Sequence, residues 1–248
     1  MPANKAMWAN ASFSFSGQHA LVTGGSRGIG KAVVQALIAS GAAVSYIART
    51  PMEEKISARH FAVDIRDERQ VGRFFSELDK LSSVDMLINV AAINHCHGIE
   101  DILVHEWDNV LSVNLRGTFL ITRGVALRMK KKKSGKIVNV SSIAGRHRSP
   151  VSGVHYVASK AGIIGFTRQL AYELGPHGIN VNAVCPSQTR TAMLDESMSE
   201  AAQEELAAGI PLRRIATVEE QVGPILFLCS DAASYMTGAV LDVNGGQI

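Results

Sequence analysis

Tyr156 and Lys160 stand four positions apart in HYVASK, residues 155–160, with only small or apolar residues between them. On a helix that spacing puts both side chains on one face, about 5–6 Å apart at Cβ. A phenol beside an ammonium has two readings. It is a core tyrosine with a basic neighbour, or an acid catalyst whose proton affinity is being tuned. A free phenol titrates near 10, too high for efficient proton exchange at neutral pH. A nearby cation favours the phenolate and lowers that value. The pair is therefore suited to general acid–base work on an oxygen.

The second stretch with chemical meaning is TGGSRGIG, residues 23–30. Three of its glycines, Gly24, Gly28 and Gly30, give a G-x-x-x-G-x-G spacing that follows an apolar run and opens a helical one. A glycine-rich strand-to-helix turn lets backbone N–H groups and a helix N-terminus approach a pyrophosphate. The alternative is a plain loop with glycines for tight packing. The end of the next strand bears on which dinucleotide would bind. A carboxylate there would accept hydrogen bonds from the adenosine ribose and repel a 2′-phosphate. Here the strand ends Ala48-Arg49, and Arg27 lies in the glycine loop. Two guanidiniums favour NADP(H), because arginine suits bidentate phosphate contact; NAD(H) stays possible. Asp64 is the remaining carboxylate placed to reach an adenine, and Ile65 would pack on that ring.

The elements that must position these groups alternate regularly. Strand-like apolar runs fall at 19–24, 43–48, 60–65, 85–92, 136–142, 179–186 and 239–246. Helical patterns fall at 28–41, 68–81, 106–129 (one long helix or two abutting ones), 155–174 and 218–230, the last despite Pro224. Continuous apolar strands are those buried on both faces. Strand–helix alternation with right-handed crossovers gives an α/β fold, a Rossmann-type doubly wound parallel sheet of about seven strands with helices on both faces. The connection RTPMEEKISAR, residues 49–59, leaves room for at most one turn of helix, so the second crossover is abbreviated. Residues 1–15 read as an N-terminal extension and 16–248 as one domain.

TGGSRGIG, a strand ending NVAA, an internal VNL, a strand ending NVSS and YVASK together resemble the short-chain dehydrogenase/reductase family in its compact single-domain form. The resemblance runs from about residue 16 to residue 248, and the order and spacing of the motifs carry it. It implies an oxidoreductase that moves a hydride between a nicotinamide and a carbonyl or secondary alcohol. By this resemblance Tyr156 and Lys160 are the catalytic tyrosine and lysine, Ser142 the catalytic serine and Asn114 the helix asparagine. Ser142 lies one residue further from Tyr156 than is usual in the family, so Ser141 is the runner-up. Ser142 would steady charge on the substrate oxygen. Lys160 would also hold the nicotinamide ribose, and Asn114 a water that refills the proton. Cofactor contacts are implied for Gly24, Ser26, Arg27, Gly28, Ile29, Gly30, Arg49, Asp64, Ile65, Asn89, Ala91, Tyr156, Lys160, Pro186 and Thr191. Two positions depart from the pattern: Ala92 and Ser187 replace glycines that usually line the cofactor.

Three segments should border the substrate, at 93–99, 143–155 and 187–211. They bring His95, His97, His147, His155, Arg146, Arg148 and Arg190, a set suited to a polar or anionic substrate. The overall pattern is similar to 3-oxoacyl thioester reductases. The alternative is a sugar, polyol or cyclic diol dehydrogenase. A second alternative is a cofactor-binding regulator or scaffold with little turnover. Apolar residues over more than one face of 106–129 and 155–174 are read with the family's habits as a homotetramer.

Bulk composition bounds the rest. The 248 residues are 46% hydrophobic and 19% charged, which suits one soluble domain with a large core. A net charge of +3 implies no nucleic-acid partner. Three separated cysteines give no disulfide framework or metal spacing, so no metal is expected. The N-terminal segment carries no continuous apolar stretch of the signal-peptide kind. No apolar run approaches the roughly 18 residues that span a bilayer. A cytoplasmic location with no membrane partner is the expectation. The lysine run 130–133 reads as the basic end of a helix before Gly135.

Overall fold

The computed structural model describes residues 13–81 and 83–248. Residues 1–12 of the expected extension lie outside the described residues. Within the rest of that segment, Phe15 is buried against the core. Seven strands form one parallel sheet. They are β1 (His19–Thr23), β2 (Ala43–Ala48), β3 (Ala58–Ala62), β4 (Met86–Asn89), β5 (Gly135–Val140), β6 (Ile179–Pro186) and β7 (Val240–Val243). Their order is β3-β2-β1-β4-β5-β6-β7. The doubly wound sheet read from the alternation is therefore the observed one.

Strands β1 to β6 feed side chains to both layers, and β7 adds Leu241 to one of them. In β1, Ala20 and Val22 join the core under α1 (Gly28–Ala39) and the C-terminal helix, while Leu21 joins the opposite core. That opposite layer is built from α2 (Glu68–Leu78) and a long helical rod. In α2, Val71, Phe74, Phe75 and Leu78 are buried at i, i+3, i+4 and i+7, the stripe expected of a helix with one wet face. Asp67 caps it by accepting from the backbone N–H groups of Arg69 and Gln70. The rod comprises α3 (Val104–Leu111), a wide π-type stretch Ser112–Gly117, and α4 (Thr118–Lys132). The sequence pattern at 106–129 thus covers a continuous helix with a widened middle, and the VNL motif lies in that middle. The remaining helices are α5 (Val154–Leu174), α6 (Ala192–Ser197), α7 (Glu200–Gly209) and α8 (Val218–Cys229). Pro224 is accommodated inside α8, whose start is tied by Glu220 accepting from the Thr217 backbone N–H at 2.9 Å.

Several boundaries differ from expectation, among them β4, which ends at Asn89 rather than 92, and β5, which ends at Val140 rather than 142. β3 ends at Ala62 rather than 65, which leaves Asp64 and Ile65 on the loop beyond the sheet. β7 ends at Val243, and Gly245 and Gly246 turn away at positive φ. The end of α4 is made by Lys133 in the left-handed conformation, not by a glycine. Gly135 instead opens β5, where a Cβ would meet the side chain of Met129. No helix among the described residues is long and apolar enough to cross a membrane.

The strand order reverses between β1 and β4. In open α/β sheets the ligand crevice opens beyond the carboxyl ends of the strands at such a switch point. The glycine turn after β1 and the segments after β4, β5 and β6 all open on that edge.

Candidate active site

A cleft of about 660 Å³ opens at the switch point. One end is built by the glycine loop. Gly24 and Gly28 adopt φ +71° and +52°, a conformation that costs other residues free energy. A Cβ on Gly24 would come within 2.8 Å of Ala91, and one on Gly30 would collide with the carbonyl of Gly24. The turn is therefore as tight as the backbone allows. No side chain caps α1, and no acidic residue sits in its first turn, in contrast to α2. Its leading N–H groups are left for an anion. Ser26, Arg27, Ile29 and Thr191 also line this end. The methyl of Thr191 faces Gly28, 3.4 Å from where a Cβ would stand, so the segment after β6 crosses over the loop.

Beyond β2 the wall is basic. Arg27, Arg49 and Arg66 all line the cleft. Arg66 was not singled out from the sequence. It donates through Nε and Nη to both carboxylate oxygens of Asp64, at 2.6–3.0 Å, and through Nη1 to Asn109 at 2.6 Å. Hydrogen bonding from Arg66 holds the Asp64 carboxyl below the ordinary carboxylate range, with Arg49 adding to the effect. Asp64 is thus a paired carboxylate, and among the described residues Arg27 and Arg49 form no ion pair. Ile65 is buried beside Asp64, and Gly117 leaves it the space that a Cβ would take.

The other end holds Ser142, Tyr156 and Lys160, with Ala91, Ala92, Pro186 and Ser187 along the floor. Ser142 follows β5 in extended conformation, and its hydroxyl accepts from the backbone N–H of Ala144. Ser141, the alternative serine, donates to the carbonyl of Lys160 at 2.7 Å and is buried. Of the two, Ser142 is the one that acts to lower the proton affinity of the Tyr156 phenol. Lys160 is buried, its Nζ donates to the carbonyl of Val140 at 2.8 Å, and it lies 5.5 Å from the centroid of the Tyr156 ring. A Cβ on Gly145 would stand 2.6 Å from the Lys160 backbone, so the turn after Ser142 presses directly on α5.

The expected lowering of the Tyr156 pKa by Lys160 is not what the protein groups do on their own. Burial pushes the phenol up to about 12, and the Ser142 hydrogen bond only partly offsets this. Burial likewise brings Lys160 down to about 8. Desolvation penalises both charged forms and is the larger effect at each. Cys185, buried on β6, lies near both groups, and its thiol is itself raised by burial.

Two expected site residues stand behind the cleft rather than on its wall. Asn89 is buried in the sheet and donates to Thr122 at 3.0 Å and Asn139 at 2.9 Å. Asn114 donates to the Ile93 carbonyl and to Ser159, each at 3.0 Å, and accepts from the Ile93 N–H at 2.9 Å. Its carboxamide ties the turn after β4 to α5, one residue before Lys160.

The substrate side differs from the basic rim expected of it. Of the seven histidines and arginines named for it, His95 alone lines the cleft. Arg146 pairs with Asp242 at 3.5 Å, His97 and His155 both contact Glu106, and His155 is fully buried. Ser149, Ser152, Gln188 and the exposed Glu196 join His95 instead. Among the described residues no group of three or more His, Cys, Asp and Glu side chains is placed to hold a metal ion.

Residues 24–247 match the family model described as enoyl-(acyl carrier protein) reductase. The 3-oxoacyl-[acyl-carrier-protein] reductase of Aquifex aeolicus is 37% identical over 243 residues, covering 93% of this chain and 97% of that protein. A structure described as a putative NAD(P)-dependent gluconate 5-dehydrogenase from Beutenbergia cavernae, with NADP bound at low occupancy, superposes with a TM-score of 0.90. It is 34% identical over 95% of this chain and 98% of the other. A short-chain dehydrogenase of Leptospira borgpetersenii with bound NAD+ superposes at 0.89, 30% identical, with 94% of each chain covered.

Proposed function

We propose, since the chain belongs to the short-chain dehydrogenase/reductase family, that it is an NADP(H)-dependent oxidoreductase interconverting a carbonyl and a secondary alcohol, with 3-oxoacyl thioesters as its substrate class. The observation that carries the reading is the meeting of Ser142, Tyr156 and Lys160 in the same cleft as the glycine loop. The uncapped start of α1 and the tight Gly24–Gly30 turn fit a dinucleotide pyrophosphate. Arg27 and Arg49, with Asp64 neutralised by Arg66, fit a 2′-phosphate better than a bare ribose. When bound, the nicotinamide supplies or accepts the hydride.

The chain's own groups manage the proton. With its phenol raised to about 12, Tyr156 holds its proton at neutral pH, the state needed of an acid in carbonyl reduction. Tyr156 Oη gives that proton to the substrate oxygen while Ser142 Oγ donates a hydrogen bond to the same atom. Lys160, still largely protonated below about pH 8, offsets the charge left on the phenolate. Asn114 fixes Ile93 and Ser159, and so the spacing of the two walls between which the substrate lies.

The competing reading is a sugar or polyol dehydrogenase, favoured by the hydroxyl- and carboxylate-bearing rim of Ser149, Ser152 and Glu196. Purified protein with NADPH and acetoacetyl-CoA, set beside NADP+ with a panel of sugars and polyols, separates the two. Thioester reduction is the expected result; oxidation of a polyol without thioester reduction would replace it. A homotetramer through α4 and α5 belongs to the same proposal, supported by the exposed Phe119, Leu127 and Tyr172 on these helices. Light scattering giving a monomer mass at micromolar concentration would remove it.

A further inference from the structure

His155 directly precedes Tyr156, yet it is fully buried and does not line the cleft. Its Nδ1 lies 2.8 Å from the backbone N of Tyr156 and its Nε2 lies 2.8 Å from Oε1 of Glu106. A backbone N–H can only donate, so Nδ1 accepts. The ring proton is then on Nε2 and is given to Glu106. The two contacts select one tautomer and one ring orientation.

The arrangement adds a second acceptor where a cap side chain is missing. Tyr156 is in the first turn of α5, and its N–H donates both to the Gly153 carbonyl at 3.0 Å and to His155 Nδ1 at 2.8 Å. The residue at the cap position is Gly153, which has no side chain to offer. A Cβ there would stand 2.5 Å from Cε1 of His155 and 2.9 Å from Nδ1. Glycine at 153 is therefore what allows the imidazole to fold back over the helix start. Glu106, on α3, also takes Nδ1 of His97 at 2.8 Å. One carboxylate thus joins α3, the loop after β4 and the start of α5. Hydrogen bonding from His155 is the main reason why the Glu106 carboxyl lies below its ordinary range.

We propose that Glu106 and His155 are positioning residues for Tyr156, Glu106 orienting the imidazole and the imidazole fixing the backbone from which the phenol projects. The catalytic part of this inference rests on the reductase reading; the contact itself does not. A group that holds the acid in place affects the chemical step more than binding. Misplacing a reacting group by about 1 Å costs roughly 100-fold in rate.

The test uses the full chain in four variants, Glu106→Ala, Glu106→Gln, His155→Leu and His155→Asn. Two quantities are read: kcat and KM for NADPH-driven reduction of acetoacetyl-CoA, and hydrogen exchange at the Tyr156 amide. Glu106→Ala and His155→Leu are expected to lower kcat by about tenfold or more, with KM and NADPH affinity little changed. Glu106→Gln retains an oxygen that accepts from Nε2, and His155→Asn retains an acceptor for the Tyr156 amide. Each should keep most of the rate that its partner variant loses. Exchange at the Tyr156 amide should speed up in His155→Leu and stay slow in His155→Asn. The proposal is overturned if Glu106→Ala and His155→Leu keep the wild-type kcat, or if their losses appear in KM alone. Unchanged amide exchange in His155→Leu overturns it without recourse to any substrate. That readout stands even if the reductase reading fails.

Discussion

At the glycine end of the cleft the backbone makes the site; at the tyrosine end side chains from distant segments do. The first end is a turn in which a Cβ at Gly24 or Gly30 would strike backbone atoms. Its charge comes from Arg27 and Arg49, while Arg66 is paired with Asp64. The second end is assembled from the turns after β4, β5 and β6 and from the start of α5. Its order depends on carboxamide and carboxylate ties such as Asn114–Ile93 and Glu106–His155. The lesson is that a phosphate-sized anion can be met by main-chain geometry alone, whereas a proton donor must be held by a scaffold.

This contrast can be attacked from each side, and the glycine end gives the largest expected effect on cofactor binding. Gly30→Ala forces a methyl onto the Gly24 carbonyl. Overpacking of this kind costs about 1–3 kcal/mol, so the NADPH dissociation constant should rise by up to about 100-fold. Calorimetric titration measures it. Near-normal binding would mean that the turn is not what holds the dinucleotide.

A comparable effect, read as stability, comes from the other end. Lys160 has a folded pKa of about 8 against an ordinary 10.5. Between those values the unfolded chain binds more protons, so stability should increase as pH rises through this window. The gain is on the order of 3 kcal/mol. Above about 10, Tyr156 works in the opposite direction, because the folded chain then keeps a proton that the unfolded chain releases. Denaturant unfolding of wild type and Lys160→Met across this range tests the point. The rise should vanish in the variant, and a flat wild-type profile would contradict the burial of a chargeable amine.

The smallest expected effect sharpens the cofactor choice. Arg49→Ala should weaken NADPH by about tenfold while NADH changes little, as for the loss of one charge-assisted contact. Equal losses for both cofactors would show that Arg49 serves the fold and not the 2′-phosphate.

The contrast also explains what could be read in the sequence. The sheet, its seven strands and the abbreviated second crossover were legible because apolar periodicity is local. Gly24, Gly28 and Gly30 were legible for the same reason, as were Tyr156 and Lys160 one helical turn apart. Asn89 and Asn114 were named through the family's motifs, but the partners of their amides, such as Asn139 and Ser159, 50 and 45 residues away, were not legible. The basic substrate rim failed because pairing is a tertiary matter. Glu106 draws in His97 and His155, Asp242 draws in Arg146, and none of these pairings leaves a mark in the local sequence. Arg66 was within reach: its place two residues after Asp64 was the signal.

The most direct measurement follows NADPH oxidation by the wild type and by Tyr156→Phe on acetoacetyl-CoA, with NADPH affinity determined for both. The account requires turnover in the wild type. It expects a fall in kcat of about 1,000-fold in the variant and the same NADPH dissociation constant, since only the proton donor has been removed. Turnover surviving in Tyr156→Phe would contradict the assignment of Tyr156 as the acid.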